Sequence, residues 1–219
     1  MIDIFNNSIA DVLVGSNSVK KVCVGTDVVW EKSSPVLPYD AEVEYIQGNG
    51  SAWINPQYTT TSNSIITIDC QLSSIVAQKR IIGNITSGYF EIYINGSKKW
   101  SFASNGKTYA SSIAANTSRH TFKIDNVAAK GYIDGTAVNI GRNAATYYGT
   151  AEIFTRHTAS DNRNCSGKIY SCTIANGTTL VRDYIPVRVG TVGCLYDKVS
   201  GTLFYSSGSS DFTPGSAVN

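Results

Sequence analysis

The stretch LVRDYIPVRVGTVGCLYDKVSGTLF, residues 180–204, contains the densest strand signal of the chain. Apolar and polar residues nearly alternate over Leu180–Val189 before Gly190 interrupts the pattern, which is typical of a half-buried strand. Val192–Tyr196 and Thr202–Tyr205 continue the strand signal and are separated by the turn-forming segment DKVSG. The stretch therefore predicts three consecutive antiparallel strands.

Composition and charge narrow the class of protein. With 219 residues the chain is long enough for one sizeable β domain and a small appendage. Charged residues make up 16% and the formal net charge is +2, so neither nucleic acid nor an anionic membrane is indicated as the main partner. No apolar run approaches a membrane span, and the N-terminus lacks the pattern of a secretory signal. These features favour synthesis and assembly in the reducing cytoplasm of a cell.

The five cysteines do not form a recognisable framework. Their odd number excludes an all-disulfide scaffold, and their spacing does not fit a zinc site. We expect most of them to be small buried apolar residues. Pairing of Cys165 with Cys172 under oxidising conditions stays open.

Residues 1–32 are predicted to form a small β-meander. Three segments have strand-like patterns: Asp11–Val14, Ser18–Val24 and Val28–Glu31. A sheet of this size cannot bury enough apolar surface to be stable alone. We therefore expect it to pack on the larger domain, on copies of itself or on another protein.

A linker is predicted between this unit and the rest of the chain. Residues 33–40 contain two serines and two prolines without periodicity, which is typical of an extended spacer. The linker favours an anchoring module over the alternative, in which residues 1–32 add strands to the main sheet. The candidate anchoring residues are apolar side chains of this unit: Val22, Val24, Val28 and Trp30.

Residues 41–215 are predicted to form one all-β domain, an antiparallel β-sandwich. Alternation is clearest in Ile65–Leu72 and Tyr89–Ile94, and Asn95-Gly96 then predicts a type I′ hairpin. No crossover helices can be placed, which excludes a parallel α/β fold. The other predicted strands are Glu42–Ile46, Ala52–Asn55, Lys99–Phe102, Arg119–Val127, Gly131–Asp134, Ala137–Ile140, Thr150–Thr155 and Lys168–Ala175.

Three segments of this domain carry a family resemblance: GKIYSCTI (Gly167–Ile174), RDYIPVRV (Arg182–Val189) and VGCLYDKVSGTLF (Val192–Phe204). Their order resembles the laminin-G-like, concanavalin A-like jelly-roll domains, and more narrowly those in proteins of gut bacteria and their tailed phages. A second resemblance is shorter. The segment VKKVCVGTDVVWEK (Val19–Lys32) is similar to an N-terminal module of phage virion proteins.

Together the two resemblances imply a virion protein, a head decoration or head fibre like those of crAss-like and related phages. Its N-terminal module would attach to capsid or fibre proteins, and its lectin-like domain would bind host-cell or mucus glycans. The implied location is the virion surface after assembly in the host cytoplasm, as a homo-oligomer with a trimer favoured. A bacterial surface or secreted carbohydrate-binding module is the main alternative, and a glycoside hydrolase is a further one.

Residues that carry catalytic chemistry are sparse. The carboxylates of Asp40–Glu44 have the spacing found in concanavalin A-like glycosidases, but the residue order differs and the segment opens the domain. His120 and His157 adjoin arginines at strand ends and are expected to be structural. We therefore predict no catalytic residue, no cofactor and no metal site, while calcium near Asp161 stays open.

Aromatic residues near turns are the candidates for sugar binding, because a pyranose presents C–H patches beside its hydroxyls. The candidates are Trp53, Tyr58, Tyr147 and Tyr148. Adjacent residues of a strand point to opposite faces, so at least one of Tyr147 and Tyr148 is expected to be exposed. Packing in the core or at a sheet edge is the alternative role.

Overall fold

The chain divides into two compact units, Met1–Leu37 and Pro38–Asn219. The division falls inside the segment 33–40 that the sequence predicts as a linker. The structure is a computed structural model that describes residues 12–14, 17–24, 26–31, 37–84, 89–142, 149–158 and 161–218. These residues form strands, turns and loops, with no helix among them.

The described residues of the first unit form four short strands in two antiparallel pairs. They are β1 (Val12–Val14), β2 (Asn17–Val19), β3 (Lys21–Val24) and β4 (Asp27–Glu31), and β1 pairs with β2 while β3 pairs with β4. The predicted strand Ser18–Val24 is thus divided between β2 and β3. An irregularity in the β3–β4 register places Val22 opposite Trp30 but Cys23 opposite Val28. The described part of this unit is two two-stranded ladders rather than one three-stranded meander.

The second unit contains all the remaining strands. They are β5 (Ala41–Glu42), β6 (Ile46–Asn49), β7 (Ser64–Leu72), β8 (Arg80–Asn84), β9 (Phe90–Ile94), β10 (Lys99–Ser104), β11 (Lys107–Ala114), β12 (Arg119–Asp125), β13 (Lys130–Ile133), β14 (Thr136–Asn139), β15 (Ala151–Ile153), β16 (His157–Thr158), β17 (Asp161–Asn162), β18 (Ser166–Asn176), β19 (Thr179–Val189), β20 (Val192–Asp197), β21 (Thr202–Phe204) and β22 (Thr213–Pro214).

Two large sheets are built from these strands. A five-stranded sheet has the order β11-β10-β9-β8-β15, and a larger sheet has the order β14-β13-β12-β7-β18-β19-β20-β21. In the larger sheet β6 also pairs with β18 and β22, and β5 pairs with β19. A short ladder joins β16 to β17. Every ladder between these strands is antiparallel.

The two large sheets pack face to face around one hydrophobic core. Trp100 of β10 lies edge-on to Phe122 of β12, with ring centroids 4.8 Å apart. On β7 every second residue is buried, as the alternation predicts. A Cβ atom on Gly131 would lie 2.6 Å from the ring of Phe102, so a glycine lets β13 approach β10 closely. This arrangement is that of an antiparallel β-sandwich.

The three strands predicted over residues 180–204 are confirmed as β19, β20 and β21. Gly190, with a φ of 60°, turns β19 into β20. Asp197 is fully buried and organises the next turn. Its carboxylate accepts hydrogen bonds from the N–H groups of Asp183 at 2.8 Å and Val199 at 3.1 Å, and from the Ser200 hydroxyl at 2.7 Å. These bonds offset the cost of burying a charge.

Some details of the predicted strands are wrong. The Asn95-Gly96 turn is not a type I′ hairpin, since the left-handed residue is Lys98, with a φ of 54°. The N–H of Lys98 donates to the Asn95 carbonyl at 3.0 Å, which closes a longer loop. The predicted strand Ala52–Asn55 is reduced to a single bridge at Ile54. Strands β8 and β11 were not predicted, and both belong to the five-stranded sheet.

Candidate functional site

The outer face of the five-stranded sheet, turned away from the core, carries a polar cleft. Trp100 and Phe102 of β10 point into the core. Because side chains alternate along a strand, Ser101 and Ala103 point to the outer face. The cleft has a volume of about 540 Å³. We call it the arginine cleft, and its described lining residues are Gln78, Arg80, Tyr89, Glu91, Tyr93, Ala103, Gly106, Thr108, Arg156 and Arg163.

The sheet register places the floor of the arginine cleft. Thr108 of β11, Ala103 of β10 and Glu91 of β9 lie opposite one another in one row across the sheet. In the neighbouring row Tyr93 of β9 lies opposite Arg80 of β8. Opposite residues of antiparallel strands present their side chains on the same face. Backbone pairing alone therefore brings these five side chains to one surface.

Glu91 is the centre of the cleft floor and is only 1% exposed. Arg80 Nε donates to its Oε2 at 3.1 Å, and Arg156 Nη1 donates to its Oε1 at 3.0 Å. A buried carboxylate is tolerated when opposite charges and hydrogen bonds engage it. Each carboxylate oxygen of Glu91 therefore has a guanidinium donor.

Arg80 is fixed on several sides. Its guanidinium lies 4.4 Å from the centroid of the Tyr93 ring, and its Nη1 donates to Gln78 Oε1 at 3.2 Å. Gln78 Oε1 also accepts from Arg163 Nη1 at 3.0 Å. Burial lowers the pKa of Arg80, Glu91 opposes that effect, and the nearby charges of Arg156 and Arg163 lower the pKa further. The guanidinium groups of the cleft are thus close enough to interact electrostatically.

A glycine lets the chain deliver Arg156 to the cleft. A Cβ atom on Gly83 would lie 2.6 Å from the Thr155 carbonyl and 2.8 Å from Arg156 Cβ, so the segment crosses the sheet directly over Gly83. Phe154, just before this crossing segment, has a φ of 65°, in the left-handed region that residues other than glycine rarely adopt. Hydrogen bonds of 2.7 Å to the Ile81 carbonyl and 2.8 Å from the Cys165 N–H hold Phe154 there.

The chemistry available in the arginine cleft is binding by hydrogen bonds and charge. Glycoside hydrolysis uses two carboxylates, one of them free to donate or accept a proton. Glu91 is the one carboxylate among the described residues that line this cleft, and both its oxygens are engaged. Tyr89 and the guanidinium edges offer donors that suit ligand hydroxyls or anions.

A second concave site lies on the outer face of the larger sheet, in a groove of about 490 Å³. We call it the tyrosine groove, and its described lining residues are Glu44, Tyr45, Arg119, Lys168 and Tyr170. Lys168 of β18 and Arg119 of β12 both lie opposite Gln71 of β7, so one row crosses three strands. The β18–β7 register shifts between Ile169 and Ser171, which places Tyr170 at a bulge.

Each tyrosine of the groove holds a cation over its ring. Lys168 Nζ lies 3.8 Å from the Tyr45 ring centroid, and Arg119 Cζ lies 3.8 Å from that of Tyr170. The two rings meet edge to face with centroids 5.7 Å apart. Arg119 also donates to both oxygens of Asp69, from Nε at 2.8 Å and Nη2 at 2.6 Å. These contacts order the groove before any ligand arrives.

Trp53 and Tyr58, the two predicted glycan-binding residues that the structure describes, line neither site. Tyr58 is a core residue whose hydroxyl is 2.8 Å from Ser64 Oγ, so its ring presents no face to solvent. Trp53 is half-buried, and a Cβ atom on Gly208 would lie 2.9 Å from its indole. Tyr147 and Tyr148 lie outside the described residues.

The predicted anchoring residues on β3 and β4 differ in how exposed their side chains are. Val24 is 67% exposed and Val28 is 48% exposed, while Val22 is half-buried. The side chain of Trp30 is not among those described. Two valines of the first unit thus present apolar surface that is free for contacts.

The carboxylates of Asp40–Glu44 have three different environments. Asp40 Oδ2 accepts the Gly190 N–H at 2.6 Å, Glu42 Oε1 accepts the Tyr39 hydroxyl at 3.1 Å, and Glu44 lines the tyrosine groove.

Both ring nitrogens of His120 have hydrogen-bonding partners within the domain. Its Nδ1 lies 2.6 Å from Asp134 Oδ2, its Nε2 lies 2.9 Å from Asn116 Oδ1, and its ring packs against Trp100. The side chains of His157 and Asp161 are outside those described. No group of three or more metal-binding side chains occurs in the described part of the chain.

All five cysteines are free thiols in this structure, including Cys165 and Cys172. Cys23 is exposed and the other four are buried. Burial raises the pKa of Cys165 to about 12, and its thiol donates to the Arg80 carbonyl at 3.0 Å. The described segments also contain no helix with the length and hydropathy that a membrane crossing requires.

Comparison with known proteins finds no family model, no curated protein and no solved structure that matches this chain. The function therefore has to be argued from the residues and the geometry of the two sites.

Proposed function

We propose that this chain is a non-enzymatic phage virion structural protein, a head decoration or head fibre, that displays a glycan-binding domain. The arginine cleft is the observation that supports glycan binding most directly. It is concave, its polar side chains are fixed by one another, and tyrosines stand beside the hydrogen-bonding groups. Sugar-binding sites combine these features, because hydroxyls need oriented donors and acceptors while C–H patches need apolar surface.

We assign the sandwich to the concanavalin A-like, laminin-G-like jelly rolls. Several sheet neighbours are far apart in sequence: β7 lies between β12 and β18, and β8 lies between β9 and β15. Crossing connections of this kind between two packed antiparallel sheets are a feature of jelly rolls. The sequence resemblance of Arg182–Val189 and Val192–Phe204 supports the same assignment.

The first unit is the anchor in this proposal. Isolated two-stranded ladders are marginally stable, so assembly with a partner stabilises them. Val24 and Val28 supply the exposed apolar surface for that contact. Its partners are capsid or fibre proteins, and the assembled form is a homo-oligomer, with a trimer favoured. The chain then lies at the virion surface after assembly in the host cytoplasm.

A glycan array probed with the labelled full chain tests the binding role. Arg163→Gln should reduce binding about tenfold, because it removes one charge-assisted hydrogen-bond donor from the cleft. Arg188→Gln is the matched control, since Arg188 is exposed on β19 and does not line the cleft. Equal loss in both variants, or no glycan signal from the wild-type chain, would contradict glycan binding in the cleft.

Virion attachment is tested separately, by mass spectrometry of purified virions from phage that carry the gene with or without Val24→Asp. The wild-type chain should copurify with virions, and the charged variant should be depleted, because it places a carboxylate on the contact surface. A chain that never copurifies, while still binding glycans, would favour the bacterial carbohydrate-binding module instead.

Glycoside hydrolysis is the least supported alternative. Release of reducing sugar from an array-positive glycan, abolished by Glu91→Gln, would revive it. We expect no release, because both Glu91 oxygens are already bound by arginines.

A further inference from the structure

We propose that the tyrosine groove is a second ligand site, separate from the arginine cleft, and that it binds a carboxylate-bearing sugar such as a hexuronate. The two sites lie on the outer faces of different sheets. The inference does not depend on glycan binding in the arginine cleft.

The acid group of the ligand is recognised by two cations with unused donors. In the described part of the chain, Lys168 forms no ion pair with a carboxylate, and its ammonium is held only by the Tyr45 ring. Arg119 uses Nε and Nη2 on Asp69, and among the described residues its Nη1 has no hydrogen-bond partner. Both residues lie in one row with Gln71 between them, so their backbone positions stand two strand spacings apart, about 10 Å in a sheet, and both side chains line the same groove.

The hydroxyl groups of the ligand are recognised by Glu44. This residue is exposed at the rim of the groove and forms no ion pair with the described cations, Lys168 included. A simple anion would be repelled by it, whereas a polyhydroxylated acid offers hydroxyl donors to it and a carboxylate to the cations. A groove that presents one hydrogen-bond acceptor, Glu44, beside two cations therefore favours a sugar acid over an inorganic anion.

The aromatic rings explain why a sugar fits better than an extended acidic peptide. Tyr45 and Tyr170 form an edge-to-face corner that offers apolar contact to the C–H groups of a pyranose. The groove, at about 490 Å³, lies in the range of small-ligand sites. Tyr170 is fixed by its hydroxyl, which donates to Gln71 Oε1 at 3.1 Å, and by its place at the bulge.

Titration of the ¹⁵N-labelled full chain with methyl β-glucuronide, followed by amide chemical shifts, tests the proposal. Shifts should map to residues 44–45 and 168–170. Methyl β-glucoside, which lacks the carboxylate, and acetate, which lacks the sugar, should each bind at least about tenfold more weakly. Added salt should weaken glucuronide binding, because screening acts on exposed charges.

Two lysine variants make the test specific. Lys168→Met should reduce glucuronide affinity about tenfold. Lys123→Met is the matched control. Lys123 lies on the outer face of β12, in the same sheet, and its Nζ is 5.2 Å from the Tyr132 ring centroid. Unlike Lys168, it forms an ion pair, with Asp125 Oδ2 at 2.9 Å. It should leave the affinity unchanged.

Several outcomes would overturn the proposal. Equal binding of glucuronide and glucoside, equal loss in both lysine variants, or no loss in Lys168→Met would each remove its basis. Shifts confined to Arg80, Glu91 and Thr108 would place the acid in the arginine cleft instead. Melting temperatures of both variants, measured alongside, show whether a loss of binding reflects a loss of folding.

Discussion

Replacing Glu91 with glutamine tests whether the buried charge cluster of the arginine cleft holds the five-stranded sheet together. The substitution keeps the shape of the side chain but removes the negative charge. The Glu91 and Arg80 side chains are 2% and 6% exposed, and Arg156 also donates to Glu91. Glu91→Gln therefore leaves two guanidinium groups at the cleft floor without their shared carboxylate.

The expected loss follows from burial. Removing one partner of a buried ion pair costs about 3–5 kcal/mol, because the remaining charge is left desolvated. We expect a loss of about 3 kcal/mol in the free energy of unfolding, at the low end, because Arg80 keeps its contacts with Gln78 and Tyr93. For a domain of this size the melting temperature should fall by about 6–12 °C.

The matched control is Asp69→Asn. The Arg119–Asp69 pair has shorter contacts, 2.8 and 2.6 Å, but the Arg119 side chain is 55% exposed. Exposed pairs contribute at most about 1 kcal/mol, so this variant should stay close to the wild type. The comparison separates the effect of burial from that of geometry.

Urea denaturation followed by tryptophan fluorescence gives the free energy of unfolding of both variants, since Trp100 is buried in the core that unfolds. A Glu91→Gln variant within about 1 kcal/mol of the wild type would refute the reasoning from burial. A loss in Asp69→Asn as large as in Glu91→Gln would refute it as well, since geometry would then outweigh burial.

Three further predictions concern packing, thiol reactivity and pH. Gly131→Ala should lower the free energy of unfolding by about 1–3 kcal/mol in urea denaturation, because the new methyl would overpack the Phe102 ring. Iodoacetamide should label only Cys23 in the native chain by mass spectrometry, since the other four thiols are buried and burial raises the pKa of Cys194 to about 11; labelling of a second thiol before unfolding would contradict this. Burial raises the pKa of Asp134, but its hydrogen bonds with His120 and the Thr121 N–H, together with the electrostatic interaction with His120, lower it by more, so the folded pKa lies below the unfolded value. This carboxylate thus contributes stability at neutral pH that is lost as the pH falls through its folded pKa, and Asp134→Asn should flatten that part of the pH dependence of urea denaturation.

Strands that are buried on one face could be predicted from the sequence. From Ile66 to Leu72 of β7 the inward residues are apolar and the outward ones polar, so the alternation is visible in ITIDCQL. The same applies to β12, where Phe122 and Ile124 are buried between more exposed neighbours. Pattern alone therefore sufficed for the all-β class and for most of the larger sheet.

Two strands of the five-stranded sheet, β8 and β11, could not be predicted in the same way. The β8 segment RIIGN is buried at every position and its residue types do not alternate, and Gly83 resembles a turn residue. The β11 segment KTYASSIA has few apolar residues to alternate. These two strands supply Arg80 and Thr108, which explains why the arginine cleft was missed along with them.

Both candidate sites depend on sheet order and register, which local patterns do not determine. Glu91 meets Arg156 across 65 positions of sequence, and it does so only because β15 pairs with β8 and the chain then crosses Gly83. Tyr170 reaches Arg119 because β18 carries a bulge opposite β7. Charged residues in such a sheet look like ordinary solvated side chains until their row partners are known. For the proposed ligand site in the tyrosine groove, the informative feature is therefore a cross-strand row, Arg119, Gln71 and Lys168, that holds two cations and no carboxylate.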